Sequence, residues 1–207
     1  MNSRTLLFGI ALCLVSLAAF GQSESVFLPF GDAGYSYQFV KSQSSLIQKF
    51  YKTSSDTGTG WSAGRGAFGT LNNTTSPPCP LNDTAHVKTI WPSSKDLLIR
   101  KHIVLPSGVR NAKVHVAIDD AVKIYFNGCD ISQGLRKHND CATAEGDFVF
   151  SIPDTLLRAG DNILAVWGDW MSSKNYLDLQ VTGGQPLEPQ PPLSHIAGHL
   201  EIPAQLA

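Results

Sequence analysis

The sequence has little charge, and the charge that it has is balanced. Charged residues make up 16 % of the 207 residues, and sixteen basic against seventeen acidic side chains give a net charge of −1. No stretch is strongly basic, which argues against nucleic acid as a partner. Hydrophobic residues make up 43 %, so the chain can bury a core and is not of the disordered class.

Motifs of catalytic sites are also missing. The chain has no Gly-x-Ser-x-Gly sequence and no phosphate-binding glycine loop before a helix. His195, His199 and Glu201 have a spacing that suits a metal, but they follow a proline-rich stretch without a scaffold. Asp119 and Asp120 are neighbours in a predicted turn, whereas the carboxyl groups of a glycoside hydrolase stand about 5–9 Å apart. We therefore predict that the chain is not an enzyme.

One long apolar run is present, and it lies at the N-terminus, over Leu6–Phe20. It is shorter than the roughly twenty residues that a membrane-spanning helix needs. Arg4 precedes the run and Ala19-Phe20-Gly21 ends it, which is typical of a signal peptide cleaved after Gly21. An uncleaved anchor is the alternative. We expect residues 1–21 to be removed and the mature chain to be secreted, periplasmic or at the cell surface, with no membrane contact.

Three cysteines remain once the signal peptide, which holds Cys13, is set aside. No pair has the Cys-x-x-Cys spacing of a zinc site or a redox dithiol, and in an exported protein a disulfide is expected. Cys129 follows a strand end and Cys141 begins the return through a polar loop, so we predict a Cys129–Cys141 disulfide, worth about 3 kcal/mol. Cys79, which lies between prolines, is the alternative partner of either.

Apolar residues alternate with period two along most of the mature chain, which indicates strands with one half-buried face. The strand faces predicted in this way are Val114, Val116 and Ile118; Val122, Ile124 and Phe126; Phe148, Phe150 and Ile152; Ile163, Ala165 and Trp167; and Leu177, Leu179 and Val181. Turn residues separate these runs, at Asp119-Asp120, at Asn127-Gly128 and over 159–162. The pattern predicts an all-β fold, an antiparallel β-sandwich over residues 22–183.

Helix signals are few, and long parallel crossovers are missing, which excludes a doubly wound α/β fold. Ser44–Tyr51 is predicted as a short helix, and Asp154 is predicted to cap a turn over Thr155–Arg158. Residues from about Thr53 to Trp91 are rich in Gly, Ser, Thr and Pro, which indicates a long surface excursion with little regular structure. Residues 184–207 are predicted to be a proline-rich linker and a C-terminal tail.

Seven segments in a fixed order carry a resemblance to a known family. They are 26–31 with Val-Phe-Leu-Pro-Phe-Gly, 60–69 around Trp61, 89–91 ending at Trp91, 98–101 with Leu-Ile-Arg-Lys, 118–128 from Ile-Asp-Asp to Asn-Gly, 156–166 with Arg-Ala-Gly-Asp-Asn, and 176–179 with Tyr-Leu-Asp-Leu. Together they resemble the galactose-binding-domain-like β-sandwich of jelly-roll form, over Val26–Gly183. Such domains accompany bacterial glycoside hydrolases and other secreted proteins.

The resemblance implies carbohydrate binding or packing beside a catalytic domain, but it carries over no particular ligand. Relatives with this fold often hold a structural calcium ion, for which Asp119, Asp120, Asp147 and Asp178 offer hard oxygen ligands. Their spacing is not diagnostic, and Asp178 suits a solvated strand face equally well. We therefore expect no cofactor other than this calcium.

The tryptophans are the first candidates for sugar binding, because sugar rings stack on exposed aromatic side chains. Trp167 falls in phase with a core face, and Trp61 and Trp91 are expected to pack the excursion onto the sheet. Trp170 lies in a polar loop between two strands, without an obvious core to enter. We predict a ligand site at Trp170, supported by Asp169, Lys174 and Asn175 as hydrogen-bonding groups; loop packing is the alternative.

These observations favour an exported, non-catalytic recognition domain with carbohydrate as its ligand class. The alternative is a structural component of an extracellular assembly, with another extracellular protein as its partner. Asn72, Asn73 and Asn82 each begin an Asn-x-Ser/Thr sequence, which bears glycan only if the source is eukaryotic.

Overall fold

The structure is a computed structural model, and it describes residues 22–54, 59–71 and 78–186. The predicted signal peptide, residues 1–21, lies outside this part of the chain, as do Asn72, Asn73 and residues 187–207. The described residues form twelve strands and two short 3-10 helices, Ser45–Gln48 and Asp154–Leu156. None of the described helices is long and apolar enough to cross a membrane.

The strands follow one another along the chain with short elements in the first half and long ones in the second. They are β1 (Gln22–Leu28), β2 (Ala33–Val40), β3 (Ser62–Arg65), β4 (Phe68–Gly69), β5 (Thr89–Ile90), β6 (Asp96–Leu105), β7 (Arg110–Phe126), β8 (Cys129–Asp130), β9 (Arg136–His138), β10 (Phe148–Ser151), β11 (Gly160–Asp169) and β12 (Tyr176–Pro186).

Two sheets pack as an antiparallel sandwich of jelly-roll type, as predicted. In sheet A, β7 lies between β10 and β12. The other edge of β12 pairs with β4 near its start and with β1 near its end, and β4 in turn pairs with β5. Sheet B has the order β3-β2-β6-β11-β7, with β8 and β9 beyond β7. All of these pairs are antiparallel except β4 with β5.

Strand β7 belongs to both sheets and joins them. It pairs with β12 up to Asp119 and with β11 from Ala121 onward. The prediction of a chain-reversing turn at Asp119-Asp120 was therefore wrong. The chain bends there without reversing, with a φ of 101° at Asp120, and the carboxylate of Asp120 accepts the amides of Met171 and Ser172 at 2.9 and 2.8 Å.

The core between the sheets is built by the faces that the alternation predicts. Main-core residues from β7, β10, β11 and β12 include Val114, Val116, Ile118, Val122, Ile124, Phe126, Phe150, Leu164, Val166, Leu177, Leu179 and Val181. For β11 the prediction chose the wrong face, because Leu164 and Val166 point inward while Ala165 joins a second, smaller cluster. That cluster lies on the outer face of sheet B, and Trp167 packs half-buried against it.

Asp154 does not cap a turn over Thr155–Arg158 as predicted, because it lies inside the 3-10 helix Asp154–Leu156, whose N-cap is Pro153. Several other local predictions hold. Asn127 and Gly128 turn β7 into β8 with positive φ at both residues. Ser44 caps the 3-10 helix Ser45–Gln48 through its side-chain oxygen. The excursion holds three short strands, β3 to β5, and Trp91 is fully buried in the main core. Strand β12 continues through Pro186 against β1, so the sandwich includes three residues that the sequence assigned to the linker.

Candidate functional site

A cleft of about 410 Å³ opens on the outer face of sheet B. Sheet B contributes Asp96 at the start of β6, and Trp167 and Asp169 near the end of β11. The opposite wall is the covering segment, which we define as residues 41–54; it includes the 3-10 helix. Its lining residues are Ser42, Gln43, Ser44, Ser45, Ile47 and Gln48. The cleft therefore combines one aromatic ring, two carboxyl groups and several hydroxyl and amide groups.

Asp96 is fully buried at the base of the cleft and fixes the groups around it. Its Oδ1 accepts the hydroxyl of Ser42 at 3.1 Å and the backbone amide of Trp170 at 3.3 Å. Its Oδ2 accepts the indole Nε1–H of Trp167 at 3.2 Å. Because three donors already occupy this carboxylate, Asp96 orients the serine and the tryptophan rather than serving as the main ligand contact.

Asp169 is half-buried, and its carboxyl group faces the same cleft. Its pKa is raised to about 6, chiefly by burial and also by the charges of Asp96 and Asp120, whereas the charge of Lys137 lowers it. A hydrogen bond to the side chain of Asp96 also favours the protonated form of Asp169. Asp169 can therefore donate or accept a hydrogen bond close to neutral pH, depending on its proton.

The covering segment is attached to sheet B by Arg100. This arginine of β6 is buried, and its guanidinium donates to the carbonyl oxygens of Phe50 and Lys52, the latter at 2.8 Å. Ile47 and Phe50 pack on Leu98 and Ala165 in the outer cluster. Side chains on one face of sheet B thus decide where the cleft wall lies.

The structure separates the residues that the sequence predicted as one site. Asp169 lines the cleft, but Trp170, Lys174 and Asn175 are not among its lining residues. Trp170 is half-buried, and its indole N–H is enclosed without a partner among the described residues. Packing of this loop, rather than exposure of a platform, is what the structure describes.

Asn175 is fully buried and cannot reach a ligand. Its carbonyl accepts the side-chain amide of Asn82 at 2.8 Å and the backbone amide of Thr70 at 3.0 Å. Its side-chain amide, in the orientation that satisfies both ends, donates to Asp120 and to the carbonyl of Lys174 at 3.1 Å each. The prediction of Asn175 as a ligand-binding group was therefore wrong.

Asn82 belongs to the same buried network, which bears on its glycosylation sequence. Its side-chain nitrogen donates to the carbonyl oxygens of Thr70 and Asn175, both at 2.8 Å, and Asn82 is 1 % exposed. The nitrogen that would bear a glycan is thus enclosed in the folded protein, so this sequence has a structural role.

The disulfide joins Cys79 to Cys141, with Cα atoms 5.3 Å apart, and Cys129 is free and exposed. The predicted Cys129–Cys141 pair was wrong because of the geometry of β7 to β9. Cys129 pairs with Phe126 at one end of this part of β7, whereas β9 follows β7 back to Asp120 before Cys141 is reached. Phe126 and Asp120 are six residues apart along β7, which corresponds to about 20 Å of strand. Cys129 lies beside the first of them, and the chain passes the second before it reaches Cys141.

The four aspartates considered for calcium do not form one cluster. Asp147 accepts the amide of Ile118 at 2.8 Å, close to Asp119, while Asp178 accepts the amide of Gly31 at 2.9 Å. Among the described residues, no group of three or more acidic, histidine or cysteine side chains is arranged to hold a metal. Asp178 is buried rather than solvated, and burial raises its pKa to about 6.

Sequence reasoning missed Trp167, Asp96 and the covering segment as parts of a site. Trp167 alternates with Ile163 and Ala165, which led to its assignment to the core. The sequence does contain a signal for this site. Trp167 and Asp169 are two residues apart at a strand end, so their side chains lie on the same face of the strand. No local signal could have brought residues 42–48 to that face.

No protein-family model matches this chain, and no curated protein matches it. Among solved structures, it is similar to a β-glucuronidase of an uncultured Clostridium sp., with a TM-score of 0.47 and 11 % identity over 87 % of this chain and 31 % of that one. The β-glucuronidase of Lactobacillus rhamnosus gives 0.49 and 11 %, over 79 % and 29 % of the two chains.

A glycosyl hydrolase family 2 member from Bacteroides cellulosilyticus gives a TM-score of 0.43 and 16 % identity, over 75 % of this chain and 20 % of that one. The chain thus spans less than a third of the length of each of these structures. Similarity at this level assigns no activity, substrate or partner to the chain.

Proposed function

We propose that this protein is an exported, non-catalytic module that binds carbohydrate in the cleft formed by Trp167, Asp169 and the covering segment. The observation that carries the proposal is the placing of Trp167 and Asp169 on the same wall of a 410 Å³ cleft. This volume lies within the range of small-ligand sites, which typically combine an apolar or aromatic wall with a few polar groups. We further propose that the sandwich is of the galactose-binding-domain-like kind.

Trp167 provides a surface for the C–H face of a sugar ring. The ring is half-buried against the outer cluster, so little side-chain freedom remains to be lost on binding. The hydrogen bond to Asp96 holds the indole in one orientation. Asp169 and the hydroxyl groups of Ser42 and Ser45 lie beside it, where they can pair with sugar hydroxyls.

A non-catalytic role is supported by the surroundings of Asp96. Its carboxylate already accepts three hydrogen bonds, from Ser42, Trp167 and Trp170, whereas a glycoside hydrolase needs two carboxyl groups that are free to act on the glycosidic bond and on water. In the lining of the cleft, Asp169 is therefore the carboxyl group left to pair with sugar hydroxyl groups.

The test is a glycan-array screen of the purified protein, with and without calcium, followed by titration calorimetry on the best ligand. Trp167→Ala and Asp169→Asn should each weaken binding about tenfold or more, which corresponds to about 1.4 kcal/mol. Trp61→Ala is the matched control, because Trp61 packs on the same outer cluster without lining the cleft. Calcium dependence of binding would establish the metal.

Three results separate this proposal from its rivals. Loss of binding in Trp170→Ala, with Trp167→Ala unaffected, would return the site to the loop of residues 170–175. Equal losses in Trp61→Ala and Trp167→Ala would mean that only the outer cluster had been disturbed. A blank array with folded protein would favour the assembly role, for which co-purification of a partner is the next measurement.

A further inference from the structure

We propose that the protein has a second ligand site, a groove that binds the anionic group of an acidic saccharide. The groove has a volume of about 640 Å³ and lies where the outermost strands of the two sheets meet, β3 of sheet B and β5 of sheet A. Its lining residues are Tyr37, Ala63, Gly64, Arg65, Lys88, Thr89 and Ile90. None of them lines the cleft at Trp167, so this inference does not depend on the function proposed above.

The floor of the groove is rigid because the two strand edges are tied together. The hydroxyl of Thr89 donates to the carbonyl oxygen of Arg65 at 2.7 Å and accepts its backbone amide at 3.2 Å. This one side chain therefore satisfies both outward backbone groups of Arg65, which an edge strand would otherwise leave to solvent. A ligand in the groove therefore contacts a preformed surface in which these backbone groups are already hydrogen-bonded.

Tyr37 provides an aromatic surface in this groove. Its ring makes edge-to-face contacts with Phe39 and Phe68, with ring centres 5.1 and 5.4 Å apart. Gly64 lies directly beside the ring, and a Cβ atom at this position would stand 2.6 Å from a ring carbon. Phe39 and Phe68 thus hold the Tyr37 ring in place. Because residue 64 has no side chain, the space beside the ring stays open.

Two cations, Arg65 and Lys88, give the lining of the groove a positive charge. The Nε of Arg65 donates to the carbonyl oxygen of Gly31 at 2.8 Å, and the Nζ of Lys88 donates to that of Ala85 at 2.6 Å. These partners are neutral, and within the described part of the chain neither cation forms an ion pair. The lining contains no carboxylate; Asp32, whose pKa is lowered in part by the charge of Arg65, is paired with Lys101 at 2.8 Å.

These features select an anionic ligand with a sugar-like body. A guanidinium held by its Nε still presents its two terminal nitrogens, whose fork matches a carboxylate or a sulfate. The Lys88 ammonium adds a second positive charge, and Tyr37 and the half-exposed Ile90 offer apolar surface to a ring. Two cations are too few for nucleic acid, whose binding depends on a stripe that neutralises several phosphates.

The experiment measures binding of the purified full chain to polygalacturonate, dextran sulfate, neutral dextran and single-stranded DNA at low salt, by affinity electrophoresis and calorimetry. We expect binding to a carboxylated or a sulfated polymer, whichever the groove prefers, and none to neutral dextran. The double variant Arg65→Gln/Lys88→Gln should weaken it about tenfold or more, because two charge-assisted contacts are lost. Added salt should weaken wild-type binding and should have little effect on the variant.

Lys113→Gln is the matched control, since Lys113 is an exposed lysine of β7 outside the groove. It should keep the wild-type affinity, and so should Trp167→Ala, which separates this site from the cleft. Thermal unfolding confirms that each variant is folded. Equal losses in Lys113→Gln and the double variant, no binding to either acidic polymer, or a stronger preference for DNA would each overturn the proposal.

Discussion

The two faces of sheet B are both covered, but by very different means. The inner face packs on the whole of sheet A, and its side chains, such as Leu164 and Val166, are fully buried. Among the described residues, the outer face is covered by residues 41–54, through Ile47 and Phe50, and by Trp61. The first arrangement keeps these side chains away from solvent, and the second leaves the 410 Å³ cleft at its edge.

This difference indicates that the inner face of sheet B serves mainly stability and that the outer face serves mainly binding. Sheet-on-sheet packing buries long alternating faces and supplies most of the hydrophobic stabilisation. A short covering segment adds less, but it supplies hydroxyl groups and a wall that can be shaped without changing the sandwich. Changes to the inner face should therefore lower stability, and changes to the outer face should lower binding.

The largest expected effect comes from a cavity in the inner face. Leu164→Ala should reduce the free energy of unfolding by about 3 kcal/mol, because a fully buried leucine leaves a void that a sandwich core cannot close. Leu46→Ala, which truncates a half-buried leucine of the covering segment, should cost about 1 kcal/mol. Urea unfolding of the two variants measures the difference, and similar losses would show that the two faces contribute equally.

The second prediction concerns the attachment of the covering segment. Arg100→Met should cost about 2 kcal/mol, because the carbonyl oxygens of Phe50 and Lys52 lose their buried donor. Amide exchange at Phe50, whose N–H donates to the carbonyl oxygen of Leu46, should become faster, while exchange at Val166 should not. Arg110→Met is the control, since its pair with Asp154 is exposed and worth about 0–1 kcal/mol. Unchanged exchange at Phe50 would contradict the anchoring role of Arg100.

The third prediction is a loss of stability as pH rises. The pKa values of Asp119, Asp169 and Asp178 are raised to about 7, 6 and 6, in each case chiefly by burial, while an unfolded aspartate titrates near 3.9. The folded state therefore holds more protons between pH 4 and 7, so the free energy of unfolding falls across that window and levels off above it. We expect it to be larger at pH 5 than at pH 8, as measured by urea unfolding at the two pH values.

Single variants assign this slope to Asp119 in sheet A and to Asp169 on the outer face of sheet B. Asp119→Asn should flatten it most, because Asp119 has the largest shift and lies against the Cys79 sulfur at 3.7 Å. Asp169→Asn, on the outer face, should flatten it less, and exposed Asp140→Asn should leave it unchanged. Stability that rises from pH 5 to pH 8 in the wild type would show that these carboxyl groups are stabilised in their charged form.

The sequence was a good guide to the sandwich and a poor one to the site. Alternation in β7 and β12 predicts the inner face because burial repeats every second residue, and Asn127-Gly128 predicts its turn because the conformation is local. The cleft depends on Ser42 meeting Asp96 and on Arg100 meeting Phe50, contacts between residues about fifty positions apart. The prediction of the disulfide was wrong for the same reason, since the path of β9 along β7 decides which cysteines come together.

The variant with the smallest predicted effect on stability tests whether the ring of Trp167 on the outer face contacts a ligand. Trp167→Phe keeps an aromatic ring but removes the indole donor to Asp96, which retains Ser42 and the amide of Trp170 as partners. The loss of unfolding free energy should stay below about 1 kcal/mol. If the ring provides a stacking surface, the glycan affinity of this variant should lie between those of wild type and Trp167→Ala. An affinity as low as that of Trp167→Ala, measured by calorimetry on the same ligand, would mean that the indole hydrogen bond and not the ring decides binding.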